Sequence, residues 1–263
     1  MFRRSQLEGV FLLIFITTFL LLGLSNKWDA KLAHPMPYGY GASDAFFHAS
    51  VAEYMVEQGR VKYTPPYEVG GYEKVLDAHP PMLFQLTGIF STFTGSAAYD
   101  SIYFITVIAY LLAILVLYLI IRQYSKNIAI ISLPFGLLIL SNKFSISLHW
   151  GYWLLIMGIL FMIFSLWALT RIRLKHSYII LALALGSLLI AHQPEGVFII
   201  GFIMLYLGAD ALFNRRIDKT SLKSVVFGLL IALVLAAYSL NIFYNTFMQT
   251  EGYRGKFDTE FGA

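Results

Sequence analysis

The stretch 101-SIYFITVIAYLLAILVLYLII-121 contains no charged residue and no proline or glycine. A helix of about 20 apolar residues crosses the roughly 30 Å hydrocarbon core of a bilayer, so this stretch reads as a membrane span. Working outward from it, six further apolar runs appear at Gly9 to Leu24, Ile128 to Leu140, His149 to Thr170, Ser177 to Ala191, Gly196 to Phe213 and Ser224 to Phe247. The third and fifth runs in chain order are short, which suits a tilted, locally thin or re-entrant segment. Across all 263 residues the chain is 58% hydrophobic and 13% charged, a balance that excludes a water-soluble core of this size. The expectation is an all-α, multi-pass membrane protein with seven transmembrane helices.

The basic residues report orientation. Arg3, Arg4, Arg122, Lys126, Arg171, Arg173, Lys175, Arg215, Arg216, Lys219 and Lys223 fall in four short segments on one side of the seven-span register. The remaining eight of the nineteen Lys and Arg are spread over the longer segments opposite. By the positive-inside rule this places the amino terminus inside and the carboxyl terminus outside. The net charge of +4 is therefore mostly topological and implies no nucleic-acid partner. Arg3 and Arg4 before an apolar core resemble a secretory signal, but 21-LLGLSNKWDA-30 offers no small-x-small cleavage site, so a retained signal anchor is expected. With no cysteine in the chain, disulfides, thiolate nucleophiles and Cys-ligated metals are excluded, and any metal must be held by His and carboxylate.

Between the first two spans lies a loop of about 75 residues, 25–100, far longer than a helical connection needs. Its aromatic content and two helical periodicities argue against disorder. The first helix is expected near 43–58, within 42-ASDAFFHASVAEYMVEQGR-60. Ser43 is a good N-cap, and Asp44 sits in the first turn, where the positive end of the helix dipole favours negative charge. At 100° per residue, Asp44, His48, Val51 and Met55 share the face expected to pack inward, whereas Glu53 and Glu57 point to solvent. Gly59 is placed to end this helix. The second helix is expected near 80–94, in 77-DAHPPMLFQLTGIFSTFTG-95, where tandem prolines suit a helix start and no helix interior. Both should be amphipathic and lie in the outer interface.

These loop residues carry a resemblance. The pattern SDAFFHASVAEYMVEQG followed by HPPMLFQLTGIFSTFTG is similar to the first outer loop of the polytopic GT-C glycosyltransferases, including oligosaccharyltransferases and lipid-dependent transferases of the protein mannosyltransferase and aminoarabinose transferase type. The resemblance implies a single seven-span GT-C module over 1–263. It further implies sugar transfer on the outer face from a polyprenyl-phosphate or polyprenyl-diphosphate donor to a protein, lipid or glycan acceptor. Asp44 matches the loop Asp that acts in the family as metal ligand or as base, and His79 stands where relatives often place a basic residue on the donor phosphate. The chain departs from the oligosaccharyltransferase pattern in lacking a WWD motif, and 145-SISLHWGYW-153 stands where an acidic motif is expected. It also stops after the seventh span, as a fragment or a minimal member of the family would.

The candidate catalytic residues are Asp44 and Glu195, the latter in 191-AHQPEG-196 and the only carboxylate between Asp100 and Asp210. An acid at a membrane boundary is a functional candidate, although capping of the next helix explains it as well. Candidate substrate-binding residues are His79, Lys74, Arg254 and His149, with Lys143 a further cation on the same side; solvated or headgroup-facing charges are the plain alternative. Asp44, His48 and His192 form a candidate set for a divalent metal such as Mg or Mn, with structural hydrogen bonding as the alternative. A lipid or solute transporter or flippase is the competing function, but the spans show no internal repeat and no midplane charges. A non-catalytic subunit of a membrane complex is the third. The expected location is the plasma membrane, with the active face outside among its lipids.

Overall fold

The computed structural model describes residues 4–28, 43–59, 80–141, 147–216 and 218–260. Among them every regular element is helical and no strand occurs. In chain order these are α1 (Arg4–Trp28), α2 (Ser43–Gln58), α3 (Met82–Thr94), α4 (Ala98–Tyr124), α5 (Lys126–Ser132), α6 (Ser147–Trp150), α7 (Trp153–Leu169), α8 (Ser177–Ala191), α9 (Gln193–Asn214) and α10 (Lys219–Glu260). A 3₁₀ segment, Leu133–Leu140, continues α5.

Among the described residues four helices are long and apolar enough to cross a membrane: Gln6–Ser25 of α1, all of α4, all of α9 and Lys219–Asn245 of α10. Three of the seven expected spans are shorter, at Lys126–Leu140, Trp153–Leu169 and Ser177–Ala191. The first of these changes pitch at Pro134, which lacks the N–H an α-helix would use. Because a 3₁₀ helix rises about 2.0 Å per residue against 1.5 Å, the combined segment reaches roughly 26 Å, some 4 Å more than an all-α run. The expected run from His149 is broken by Gly151, whose φ of 94° separates α6 from α7.

Two apolar cores meet on α7. The first joins α1 to α5 with the upper part of α7, around Phe19, Ile102, Tyr103, Val107 and Trp153. Close approach there depends on small residues. A Cβ on Gly23 would stand 2.8 Å from Val107, and one on Gly136 would stand 2.9 Å from Ile114. The second core joins the lower part of α7 to α8, α9 and α10 around Leu181, Leu185, Ile199 and Ala232. Here Gly186 lies under Leu235 and Gly228 under Leu181, so α8 and α10 interlock through small residues, as helices must where lipid gives no hydrophobic drive to associate.

The end bearing the basic segments is tied by charge. Glu8, missed in the sequence because it precedes the apolar run, is buried in α1 and accepts from Tyr118, from Arg122 Nε at 2.5 Å and pairs with Lys126 Nζ at 2.5 Å. One carboxylate thus fastens α1, α4 and α5. Arg173, in the turn from α7 to α8, donates to Asp218 at 2.8 Å and reaches Asp210 of α9 at 3.4 Å. Asp218 in turn caps α10, accepting from the Thr220 and Ser221 amides and the Ser221 hydroxyl.

At the opposite end α2 and α3 pack on each other and on α4, and α3 also meets α7 and α8. Both helices stand where the periodicity places them. α3 ends at Gly95 in the left-handed region, φ 68°, its amide donating to Ser91 O at 2.8 Å. In α2, Ala45, His48, Ala49, Val51, Ala52 and Met55 are buried, while Glu53 and Glu57 are exposed. The exposed side is not purely polar, since Phe46 is exposed too.

Candidate functional site

The loop end gathers three pieces of chain that are distant in sequence: the start of α2, the α6–α7 turn and the α8–α9 turn. The first two are locked at Gly151. A Cβ at that position would fall 2.6 Å from the Asp44 carbonyl carbon and 2.7 Å from Ala45 Cα, and φ is positive there. Only glycine satisfies both conditions. The amino terminus of α2 therefore rests directly on the backbone of the turn that carries His149, Trp150 and Tyr152.

Asp44 differs from the expectation that it packs inward. Its side chain is exposed. The reason lies in the register of contact: the backbone at 44–45 is what meets Gly151, and the inward face of α2 becomes buried only from Ala45 and His48 onward. His48 is buried, as expected for its face, and sits against the rings of Phe47, Phe84 and Trp153 at centroid separations of 5.5, 5.8 and 6.1 Å. Trp153 is itself fully buried and donates its indole N–H to Leu148 O at 2.7 Å, while its ring meets Tyr103 edge-on. Tyr103 hydroxyl donates to Gly23 O at 3.1 Å, so ring contacts from α2 through α7 to α4 end in a hydrogen bond to α1.

The third piece lies deeper. α8 ends at Ala191, His192 is extended, and α9 starts at Gln193 with Pro194 in its first turn, so the break in the apolar pattern is a one-residue corner. His192 Nδ1 and a Glu195 carboxylate oxygen are hydrogen-bonded across this corner. The pair rests on α7: a Cβ on Gly158 would come within 2.9 Å of His192 and 3.1 Å of Glu195. Gly158 lies five residues beyond Trp153, about 7.5 Å along the helix, so the pair stands one to two turns below the α2 contact. Glu195 also occupies the first turn of α9, where the dipole favours an anion.

Other candidates fall elsewhere. Lys74, His79 and Lys143 lie outside the described residues. Arg254 belongs to α10, which continues well past the expected end of its span, but its side chain lies outside the described residues. His149 is half-buried in α6, two residues from Gly151. Among the described residues no group of three His, Asp or Glu side chains is arranged to hold a metal ion. Of the candidate metal set Asp44, His48 and His192, Asp44 is exposed, His48 lies among aromatic rings and His192 is bonded to Glu195.

Sequence reading passed over Gly151, Trp153 and Gly158, which position these groups. A signal was present in 148-LHWGYW-153, where a glycine interrupts an aromatic cluster at the head of a span, but nothing in it names Asp44 as the neighbour.

No curated protein and no solved structure gives a match to this chain. Residues 78–242 match the family described as Dolichyl-phosphate-mannose-protein mannosyltransferase. That match takes in the start of α3, the HWGYW turn, the His192–Glu195 corner and the spans through most of α10, well over half of the chain. The chain belongs to the dolichyl-phosphate-mannose-protein mannosyltransferase family, glycosyltransferases of GT-C type.

Proposed function

We infer that the chain transfers a sugar from a polyprenyl-phosphate donor to an acceptor hydroxyl, with Asp44 as the base. The observation that carries this reading is the Gly151 lock, which seats the backbone bearing an exposed first-turn carboxylate on the turn that carries His149, at the loop end of the bundle. Family membership supplies the donor class, and its description names a mannosyl donor and a protein acceptor. In the reaction the acceptor hydroxyl gives its proton to the Asp44 carboxylate as its oxygen bonds to the anomeric carbon. The bond from that carbon to the phosphate oxygen breaks, and prenyl phosphate leaves with the electron pair. General-base assistance of this kind accelerates a step by roughly 10²–10⁴.

The leaving phosphate gains negative charge, so cations and hydrogen-bond donors at the loop end are its natural partners. His149 is assigned to it on its place beside the Gly151 lock, and His79, Lys74 and Arg254 on the family resemblance of the loop. Glu195 holds His192 by Nδ1, which turns Nε2 into the atom available to substrate. Glu195 is thus a positioning residue for His192, whose Nε2 is left as the acceptor nitrogen of the neutral ring.

In this reading all seven apolar segments cross the membrane, the shorter three by tilt and by the 3₁₀ extension, with α2 and α3 lying in the outer interface. The basic end faces inside and the active face outside, in the plasma membrane.

The test is transfer of labelled sugar from purified prenyl-phosphate sugars by the purified full chain, with Asp44→Asn beside the parent and each assayed with and without a divalent-metal chelator. Loss of transfer in the variant, with the parent indifferent to chelator, is the expected result. Full activity in Asp44→Asn removes the base assignment. Loss of parental activity on chelation makes Asp44 a metal ligand instead.

A further inference from the structure

A second recognition feature lies at the other end of the molecule, outside the transfer site. Between the α7–α8 turn and the first two turns of α10 there is a cleft of about 770 Å³. Arg173, Lys175, Lys219 and Lys223 line it, and no carboxylate does. Its membrane-side wall is Tyr178 and Phe227, whose ring centroids are 6.2 Å apart, and Lys223 Nζ lies 5.8 Å from the Phe227 centroid. His176, at the lip, holds the left-handed conformation with φ 61°, uncommon for a residue with a side chain.

Three observations converge on one ligand. First, the Asp218 and Asp210 carboxylates that neutralise this end pair with Arg173 and line the neighbouring cleft, so the charged residues lining this one are all cations and Lys175 and Lys223 lie away from those carboxylates. Second, the cleft sits where α8 and the apolar part of α10 begin, so its floor coincides with the start of the hydrocarbon-crossing segments. Third, the surface running from it along α10 is apolar and exposed at Val226, Phe227, Leu230 and Val234. A soluble anion would use the cations and ignore the apolar track; a lipid uses both. Basic pockets between membrane helices at this depth suit anionic head groups.

We propose that this cleft binds the phosphate of an anionic membrane lipid, with Lys175, Lys219 and Lys223 on the phosphate oxygens, Tyr178 and Phe227 at the glycerol level and an acyl chain along α10. The chemistry recognised is a phosphate ester; the apolar track selects the lipid over free phosphate. At about a fivefold gain in affinity per lysine near an anionic head group, removing all three weakens binding on the order of 100-fold.

The test uses the full chain in detergent micelles doped with phosphatidylglycerol or with phosphatidylcholine, the retained lipid being counted by native mass spectrometry. The expected result is one phosphatidylglycerol retained by the parent, none by K175Q/K219Q/K223Q, and no retained phosphatidylcholine in either. The charge-preserving K175R/K219R/K223R chain restores retention and shows that the loss is not misfolding. Excess inorganic phosphate leaves the retained lipid in place. Equal retention by parent and triple Gln variant overturns the proposal, as does displacement of the lipid by inorganic phosphate at equal concentration, or failure of the Arg chain to restore retention while it remains monodisperse.

Discussion

The two ends of the bundle treat charge in opposite ways. At the basic end Glu8 is buried with three partners on two other helices, and Asp218 is shared between a helix cap and Arg173. At the loop end the Asp44 side chain is exposed at a helix start, and Glu195 is bonded to a histidine three residues away. Carboxylates that hold helices together are saturated and tied to residues far along the chain. At the loop end Asp44 is exposed and Glu195 is bonded within its own corner, the setting in which the proposed function places its acid–base chemistry.

The contrast can be broken most forcefully at Asp44. Asp44→Asn should lower sugar transfer by roughly 10²–10⁴ while leaving the melting temperature of the purified chain with the parent's. A change in melting temperature comparable to the loss of rate would place Asp44 among the structural carboxylates. Next in size is Gly151→Ala, which adds a Cβ against the Asp44–Ala45 backbone at a φ of 94°. Displacing the base by about 1 Å costs transfer on the order of 100-fold, and steady-state kinetics should show this in kcat more than in KM. An unchanged kcat would separate the lock from the chemistry.

Glu8→Gln probes the other end. It leaves Arg122 and Lys126 without their shared carboxylate, and thermal unfolding should register a loss of about 2 kcal/mol, discounted because both cations keep partial access to solvent. Transfer activity of the folded fraction should stay within a few-fold of the parent's; a loss matching that of Asp44→Asn would join the two ends functionally. The smallest effect belongs to Asp218. Hydrogen bonds from the Ser221 hydroxyl, then from the Ser221 and Thr220 amides, with the Arg173 guanidinium, hold its carboxyl below the ordinary carboxylate range. A depressed carboxyl contributes stability above its unfolded pKa and loses it as pH falls through the folded value. Melting temperature measured from pH 6 down to pH 3 should therefore fall less steeply in Asp218→Asn than in the parent, and parallel curves would count against the cap.

Much of this was legible in the residues themselves. The apolar runs place the helices that cross, the proline pair at 80–81 opens α3, and the Ser43–Asp44 start and Gly59 end bound α2, because these signals depend on local backbone chemistry and on 3.6-residue periodicity. The clustering of Lys and Arg at one end is equally local. Asp44 was singled out by type and position in its turn, but its exposure was not, since the inward face of α2 is set by what packs against it. Helix periodicity distributes residues around an axis and says nothing about where along that axis packing begins.

Tertiary structure alone decided the rest. Glu8 meets Tyr118 and Arg122 across more than a hundred residues, Gly151 meets Asp44 across a similar span, and Gly158 seats the His192–Glu195 pair. In each case the sequence shows one residue of an ordinary type, and the meaning comes from a partner brought near by the fold. By itself the sequence determined a helical membrane protein with charged ends. Which carboxylates became buried between helices and which stayed exposed followed from packing, because the cost of burying a charge is met only where the fold delivers partners to it.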